Sequence, residues 1–233
     1  MTGSASSTSG ESAVVAIDGP AGSGKSTVAR RVAEVTGLAY LDTGAMYRAI
    51  TLGVLTRDID PEDREAVAAA VPEIEIEIGR TTVIVDGAAA TDAIRSASVT
   101  RWVSAVSANP AVRTALVDLQ RQWIDQQGGG VLEGRDIGTV VAPGAAVKIF
   151  LTASTRERAR RRALETGDDI DAVEADIIRR DGLDSERTES PLRKADDAAI
   201  VDTTEYSIDE VVSIIADRIH AAGLDTPAQD GKS

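Results

Sequence analysis

The chain has 233 residues, of which 42% are apolar and 27% charged, and its 38 acidic against 25 basic side chains leave a formal net charge of −13. This is the composition of a globular protein long enough for one buried core plus a smaller unit, and the acidic balance argues against a DNA or RNA surface, which needs a basic stripe. The absence of cysteine excludes disulfides, thiolate catalysis and Cys-type zinc sites, and a single histidine, His220, argues against a His-built metal centre or triad.

In chain order, MTGSASSTSGES at 1–12 is rich in Ser, Thr and Gly. It lacks the basic start and apolar stretch of a secretory leader, so it reads as the disordered tail of a cytoplasmic protein. Val14–Ile17 is a short apolar, β-branched run that predicts a buried strand. It leads into Gly19, Pro20, Ala21, Gly22, Ser23, Gly24, Lys25, Ser26 and Thr27, a Gly-x-x-x-x-Gly-Lys-Ser phosphate loop, and then a helical stretch that stops at Gly37. Glycines let backbone amides curl around a phosphate, and the helix N-terminus adds partial positive charge. A lysine at this place reaches the β- and γ-phosphates, and the serine hydroxyl ligates magnesium. A nucleoside triphosphate, ATP or GTP, with Mg²⁺ is therefore expected.

Four further apolar runs predict buried strands at Leu38–Leu41, Val131–Glu133, Val147–Leu151 and Ala199–Asp202. Helical stretches separate most of them, the pattern of a parallel sheet with helices on both faces. EIEIEIGRTTVIVD at 73–86 differs: Ile74, Ile76 and Ile78 alternate with glutamates before a Gly79-Arg80 turn. That predicts an antiparallel hairpin with one wet face, so a small inserted subdomain is placed at about 62–105 between core segments 13–61 and 106–224. Ser154-x-x-Glu157 and Ser207-x-x-Glu210 read as capping boxes opening two helices. On the second, Ile208, Val211, Val212, Ile215 and Ile219 form an apolar face for the sheet, and His220 is read as a surface residue. Residues 225–233 read as a frayed end, no apolar run is long enough to span a membrane, and a monomer is expected.

For so acidic a chain, the arginines are conspicuously clustered. Thr43 and Arg48 lie in LDTGAMYRAI, Arg135 and Asp136 follow a strand end in GRDIG, and Arg158, Arg161 and Arg162 share one helix face in RERARRR. Arg180, Asp184 and Arg187 fall at i, i+4 and i+7 in RRDGLDSER. Taken singly, each is an ordinary solvated arginine. Beside a phosphate loop, they suit a transferring phosphoryl group, whose charge enzymes meet with magnesium and guanidinium groups. A hydroxyl acceptor calls for a carboxylate base, whereas a phosphate acceptor is already ionised and calls for cations instead. The residues favour a phosphate acceptor while leaving Asp42 or Asp136 open as a base, and other acceptors of small P-loop kinases open as well. A GTPase-type switch is disfavoured because no Asn/Thr-Lys-x-Asp motif is present.

GPAGSGKST, LDTGAMYRA, EGRDIGTVV, VKIFLTAS with RARRR, and RRDGLDSERTESPL closely resemble, in order and spacing over about residues 13–220, the bacterial cytidylate (CMP) kinase family of nucleoside monophosphate kinases. The resemblance implies a P-loop NTPase α/β fold, a five-stranded parallel sheet of order 2-3-1-4-5 with an acceptor-binding insert. It implies transfer of the ATP γ-phosphoryl group to CMP, and to dCMP, with Mg²⁺. It further implies that Arg48, Arg135 and Arg187 grip the acceptor phosphate and that Thr43, standing where the family often has Ser, can hydrogen-bond there. Ser104, Arg113 and Asp136 would read cytosine, and Arg180 and Asp184 would meet the ribose. Arg158, Arg161 and Arg162 would lie in a mobile lid, about 154–188, closing over ATP. Glu133 stands where many relatives carry Asp.

Overall fold

The structure is a computed structural model and describes residues 13–185 and 191–224. Both predicted tails and Arg187 lie outside the described residues.

Five parallel strands form the main sheet: β1 (Val14–Asp18), β2 (Tyr40–Asp42), β6 (Gly130–Gly134), β7 (Val147–Thr152) and β8 (Ala199–Asp202). Their spatial order is β2-β6-β1-β7-β8, the expected 2-3-1-4-5 when these five strands are counted alone. β1 and β6 are buried along their whole length, as the continuous apolar runs require of central strands covered on both faces. Val15 and Ile17 face α1 (Lys25–Thr36) and α8 (Ile208–Ala221), while Val14 and Ala16 face α2 (Thr43–Thr56) and α5 (Pro110–Gln127). β2 starts two residues later than predicted, at Tyr40, because α1 ends on a left-handed Gly37 (φ 71°) and the chain must first turn back.

Between α2 and α5 lie α3 (Arg64–Ala70), a second sheet and α4 (Ala97–Ser107). The second sheet is antiparallel: β3 (Ile76–Ile78), β4 (Val83–Val85) and β5 (Ala88–Ala89), with Ile76 opposite Val85 and Ile78 opposite Val83. β5 goes beyond the predicted hairpin. Asp86 and Gly87 both take positive φ (51° and 76°), the two-residue turn that an Asp-Gly pair favours, and fold Ala88 back beside Val85. The buried side chains Ile74, Val83, Val85 and Ile94 join the same core as Leu41, Ile50, Leu116 and Leu132. Burial thus ties the insert to one face of the main sheet.

α6 (Thr155–Thr166) and α7 (Ile170–Ser185) pack together as a helical hairpin after β7. Ser207 and Glu210 form the reciprocal capping box at the start of α8. At α6 only half of that device is present. Ser154 accepts from the Glu157 amide, while the Glu157 carboxylate is drawn to Arg160 and Arg161 at 2.8 Å each. Among the described residues no helix is long and apolar enough to cross a membrane.

Candidate active site

A cleft of about 1470 Å³ runs across the C-terminal ends of the main-sheet strands, where ligands collect in open α/β folds. Its floor on one side is the phosphate loop. Gly19 has φ 153°, and a Cβ there would come 2.0 Å from the Leu151 carbonyl oxygen, so no side chain fits. Gly24, at φ 85°, caps α1. The Lys25 amine donates to the Pro20 carbonyl (2.7 Å). Burial first, and then the charge of Arg135, lower it to about 7 against the pull of Glu133 and Asp18. Ser26 and Thr27 are exposed to the cleft. Beside them, at the end of β6, the buried Glu133 accepts from the Tyr40 hydroxyl (2.8 Å), with Ser26 close enough to favour its ionised form. Its carboxyl is held above the usual range, mainly by burial and then by the charge of Asp42.

Opposite the phosphate loop, positive charge converges. Arg48, on α2, donates to the Thr100 hydroxyl (3.0 Å) and the Ile94 carbonyl (3.3 Å). Burial first, then the charges of Arg180, Arg95 and Arg162, push its guanidinium down to about 10. Arg180, on α7, is lowered too, by burial and then by Arg135, and its buried Nε has no hydrogen-bond partner among the described residues. These groups repel one another, the electrostatics of a site shaped for an anion. Arg135 donates to Asp184 (3.0 Å), which ties the turn after β6 to α7.

Deeper in the same half of the cleft lies a buried ion pair. Arg113 donates to Asp136, stacks 5.3 Å over the Tyr47 ring and donates to the Ser107 carbonyl (3.4 Å). Its Nε is buried without a partner among the described residues. Ser104 lines the cavity alongside. A carboxylate and a guanidinium presented together at an apolar wall form a donor–acceptor edge suited to a base.

The chain matches the cytidylate kinase family model over residues 15–221. It is 52% identical over 211 residues to the cytidylate kinase of Mycobacterium leprae, covering 88% of this chain and 95% of that one. To the cytidylate kinase of Rhodococcus opacus it is 51% identical over 210 residues, covering 86% and 92%. This chain belongs to the cytidylate kinase family. In fold it is also similar to the crystal structure of an uncharacterized protein from Eubacterium ventriosum, with a TM-score of 0.51 at 14% identity, covering 89% of this chain and 98% of that one.

The cleft of this cytidylate kinase family member brings together most of the residues singled out by sequence: Ala21 to Thr27, Thr43, Arg48, Ser104, Arg113, Arg135, Asp136, Arg161, Arg162, Arg180 and Asp184. Thr43 already donates to the Glu133 carbonyl (2.6 Å), so towards a ligand its oxygen acts as an acceptor. Arg161 is tied to Glu157 and to Thr203, by both the hydroxyl (2.9 Å) and the carbonyl (2.6 Å). Arg162 holds Glu165 at 3.1 Å.

Arg158 departs from the arginine cluster read from helical spacing. It does not line the cleft. Only 5% exposed, it spends its guanidinium on the Ala21 carbonyl (2.9 Å), Asp181 (2.6 Å), the Ala153 carbonyl and Thr155. It props the phosphate loop from behind. Ile208, expected on the sheet-facing side of α8, is half exposed and lines the cleft with Thr203, Thr204, Tyr206 and Val211. This second wall beside the phosphate loop was missed. Its only sequence signal was its position directly after the last parallel strand.

Proposed function

We propose that this protein is a cytidylate kinase that transfers the ATP γ-phosphoryl group to CMP, and to dCMP, giving ADP and CDP or dCDP. The observation that carries the reading is the convergence of Arg48, Arg95, Arg162 and Arg180, like charges that repel, on one cleft opposite the phosphate loop, next to the Arg113–Asp136 pair. An acceptor phosphate relieves that repulsion. Arg48 and Arg135, with Arg187 from outside the described residues, grip it. The cytosine amino group donates to Asp136, and Arg113 with Ser104 meets N3 and O2. Uracil would turn its O4 acceptor on the carboxylate. Arg180 and Asp184 face the ribose.

On the donor side, Lys25 and the loop Gly19–Thr27 hold the ATP phosphates, Arg161 and Arg162 lie over them from α6, and Arg158 fixes the loop from beneath. The wall of Thr204, Tyr206 and Ile208 takes the adenine. The residues also fit magnesium: an exposed hydroxyl, Ser26, sits beside a buried carboxylate, Glu133, the hard oxygen donors that this ion selects. Ser26, with Glu133 behind it, would hold the ion on the protein side, and magnesium, when bound, would supply positive charge against the phosphates. The protein's own contribution is alignment of two polyanions and screening of their repulsion. Steady-state ADP release with ATP and each of CMP, dCMP, UMP, AMP and GMP tests the reading. CMP and dCMP should be used best, and an equal or faster rate with UMP, AMP or GMP contradicts it.

A further inference from the structure

Asp18 is a buried carboxylate to which the catalytic scheme gives no task. It is the last residue of β1, 5% exposed, and the next residue, Gly19, opens the phosphate loop. Its two oxygens each accept a backbone amide from the far side of the cleft floor: Oδ1 from Ile137 (2.9 Å) and Oδ2 from Gly138 (2.8 Å). Those amides open the single π-helical turn Ile137–Val141 that follows β6. Just upstream, Gly134 is held in the β1–β6 ladder, in register with Asp18 itself. Arg135 and Asp136 are therefore the two residues strung between a strand pin at Gly134 and a carboxylate pin at Ile137 and Gly138. Both side chains point to partners in the acceptor half of the cleft, Asp184 and Arg113.

Burial lifts the Asp18 carboxyl to about 6, with the charge of Asp136 adding to the rise, although both amides and Lys25 favour its ionised form. Burying a charge is unfavourable unless its hydrogen bonds are specific and complete. Here all the specific bonds go to one turn. We propose that Asp18 is a positioning residue for the acceptor: it fixes the turn that aims Arg135 and Asp136 and couples that turn mechanically to the phosphate loop. The residue acts through Arg135 and Asp136 and does not itself touch substrate. The inference rests on the assignment of those two residues to the CMP subsite.

Asp18→Asn provides the test. The carboxamide keeps one acceptor oxygen and turns an NH₂ donor on the other amide. The KM for CMP should rise about tenfold, the effect of one lost charge-assisted hydrogen bond, while the KM for ATP stays near the wild-type value. Gly138→Ala attacks the same contact from its other side. A Cβ there would lie 3.4 Å from Asp18 Oδ2, ordinary contact distance, and 3.2 Å from the flexible Lys148 side chain, which can give way. The variant should therefore fold with the turn only slightly crowded, and a smaller split of the same sign between the two KM values is expected should Asp18→Asn fail to fold. Parallel rises in both KM values, or no change in that for CMP, overturn the proposal. A wild-type protein that does not turn over CMP overturns the subsite assignment instead. The coupling is then judged by hydrogen exchange at the Ile137 and Gly138 amides, which Asp18→Asn must accelerate and whose unchanged rates would overturn it.

Discussion

Replacing Arg48 with alanine should separate binding from stability. In the unliganded protein its guanidinium is pushed well below its ordinary range, to about 10, by burial and then by Arg180, Arg95 and Arg162. That displacement corresponds to at most about 3 kcal/mol of unfavourable charge in the unliganded protein. Truncation relieves it but removes the hydrogen bonds to Thr100 and Ile94, worth about 1 kcal/mol each, along with the packing of the aliphatic arm. The terms nearly cancel, so the variant should unfold within about 1 kcal/mol of wild type, a few degrees in Tm. With CMP bound the same charge meets a phosphate. Loss of a charge-assisted hydrogen bond of about 1.5–3 kcal/mol raises the KM for CMP roughly 10- to 100-fold. Thermal unfolding of the empty protein and an ADP-release assay with CMP varied measure the two effects separately. A loss of stability above about 3 kcal/mol together with an unchanged KM for CMP would refute the reasoning, since Arg48 would then be a structural strut.

Asp136→Asn leaves Arg113, only 4% exposed, without its charged partner. It should lower unfolding free energy by about 3 kcal/mol in urea titrations and narrow the preference for CMP over UMP, because a carboxamide can donate to O4; undiminished discrimination contradicts the base-reading role. Lys25, near 10.5 in the unfolded chain and about 7 in the folded protein without nucleotide, binds fewer protons when folded between those values. Unliganded stability should therefore rise with pH across that window, with the full penalty present below pH 7. Phosphates restore the charge, so nucleotide binding at pH 8 should take up protons, seen as a dependence of calorimetric heat on buffer ionisation enthalpy; heats independent of buffer oppose this. Arg158→Ala should destabilise the fold by about 3 kcal/mol by stranding Asp181 and the Ala21 carbonyl. Arg162→Ala, at an exposed pair with Glu165, should change stability by no more than about 0.5 kcal/mol while slowing turnover. Equal stability losses would mean that the two arginines do the same work.

Much of this was legible in the sequence because it is local. The parallel strands announced themselves as apolar runs, and the phosphate loop as a glycine pattern between a strand and a helix. The Ser207 cap was visible as spacing and is realised in full. The Ser154 cap was equally visible, yet Glu157 turns to arginines that compete for its carboxylate. Helical spacing put Arg158 with Arg161 and Arg162, but it could not show that α6 sits against the phosphate loop closely enough to spend Arg158 on Ala21. β5 is only two residues long and had no periodicity to reveal it, although the Asp86-Gly87 pair was a usable turn signal. Asp18 is separated by more than a hundred residues from the amides it holds, and no local pattern encodes a contact of that range. The family resemblance supplied residue roles that charge and spacing alone left undivided.

The account turns on one pyrimidine monophosphate lying opposite the phosphate loop. A crystal structure of the protein with CMP measures this directly. The phosphate should lie within hydrogen-bond reach of Arg48 and Arg135, with the cytosine amino group on Asp136 and the Arg113–Asp136 pair opened to receive the ring. CMP bound elsewhere, or with its base pointing away from Asp136 while Arg48 faces solvent, would contradict it.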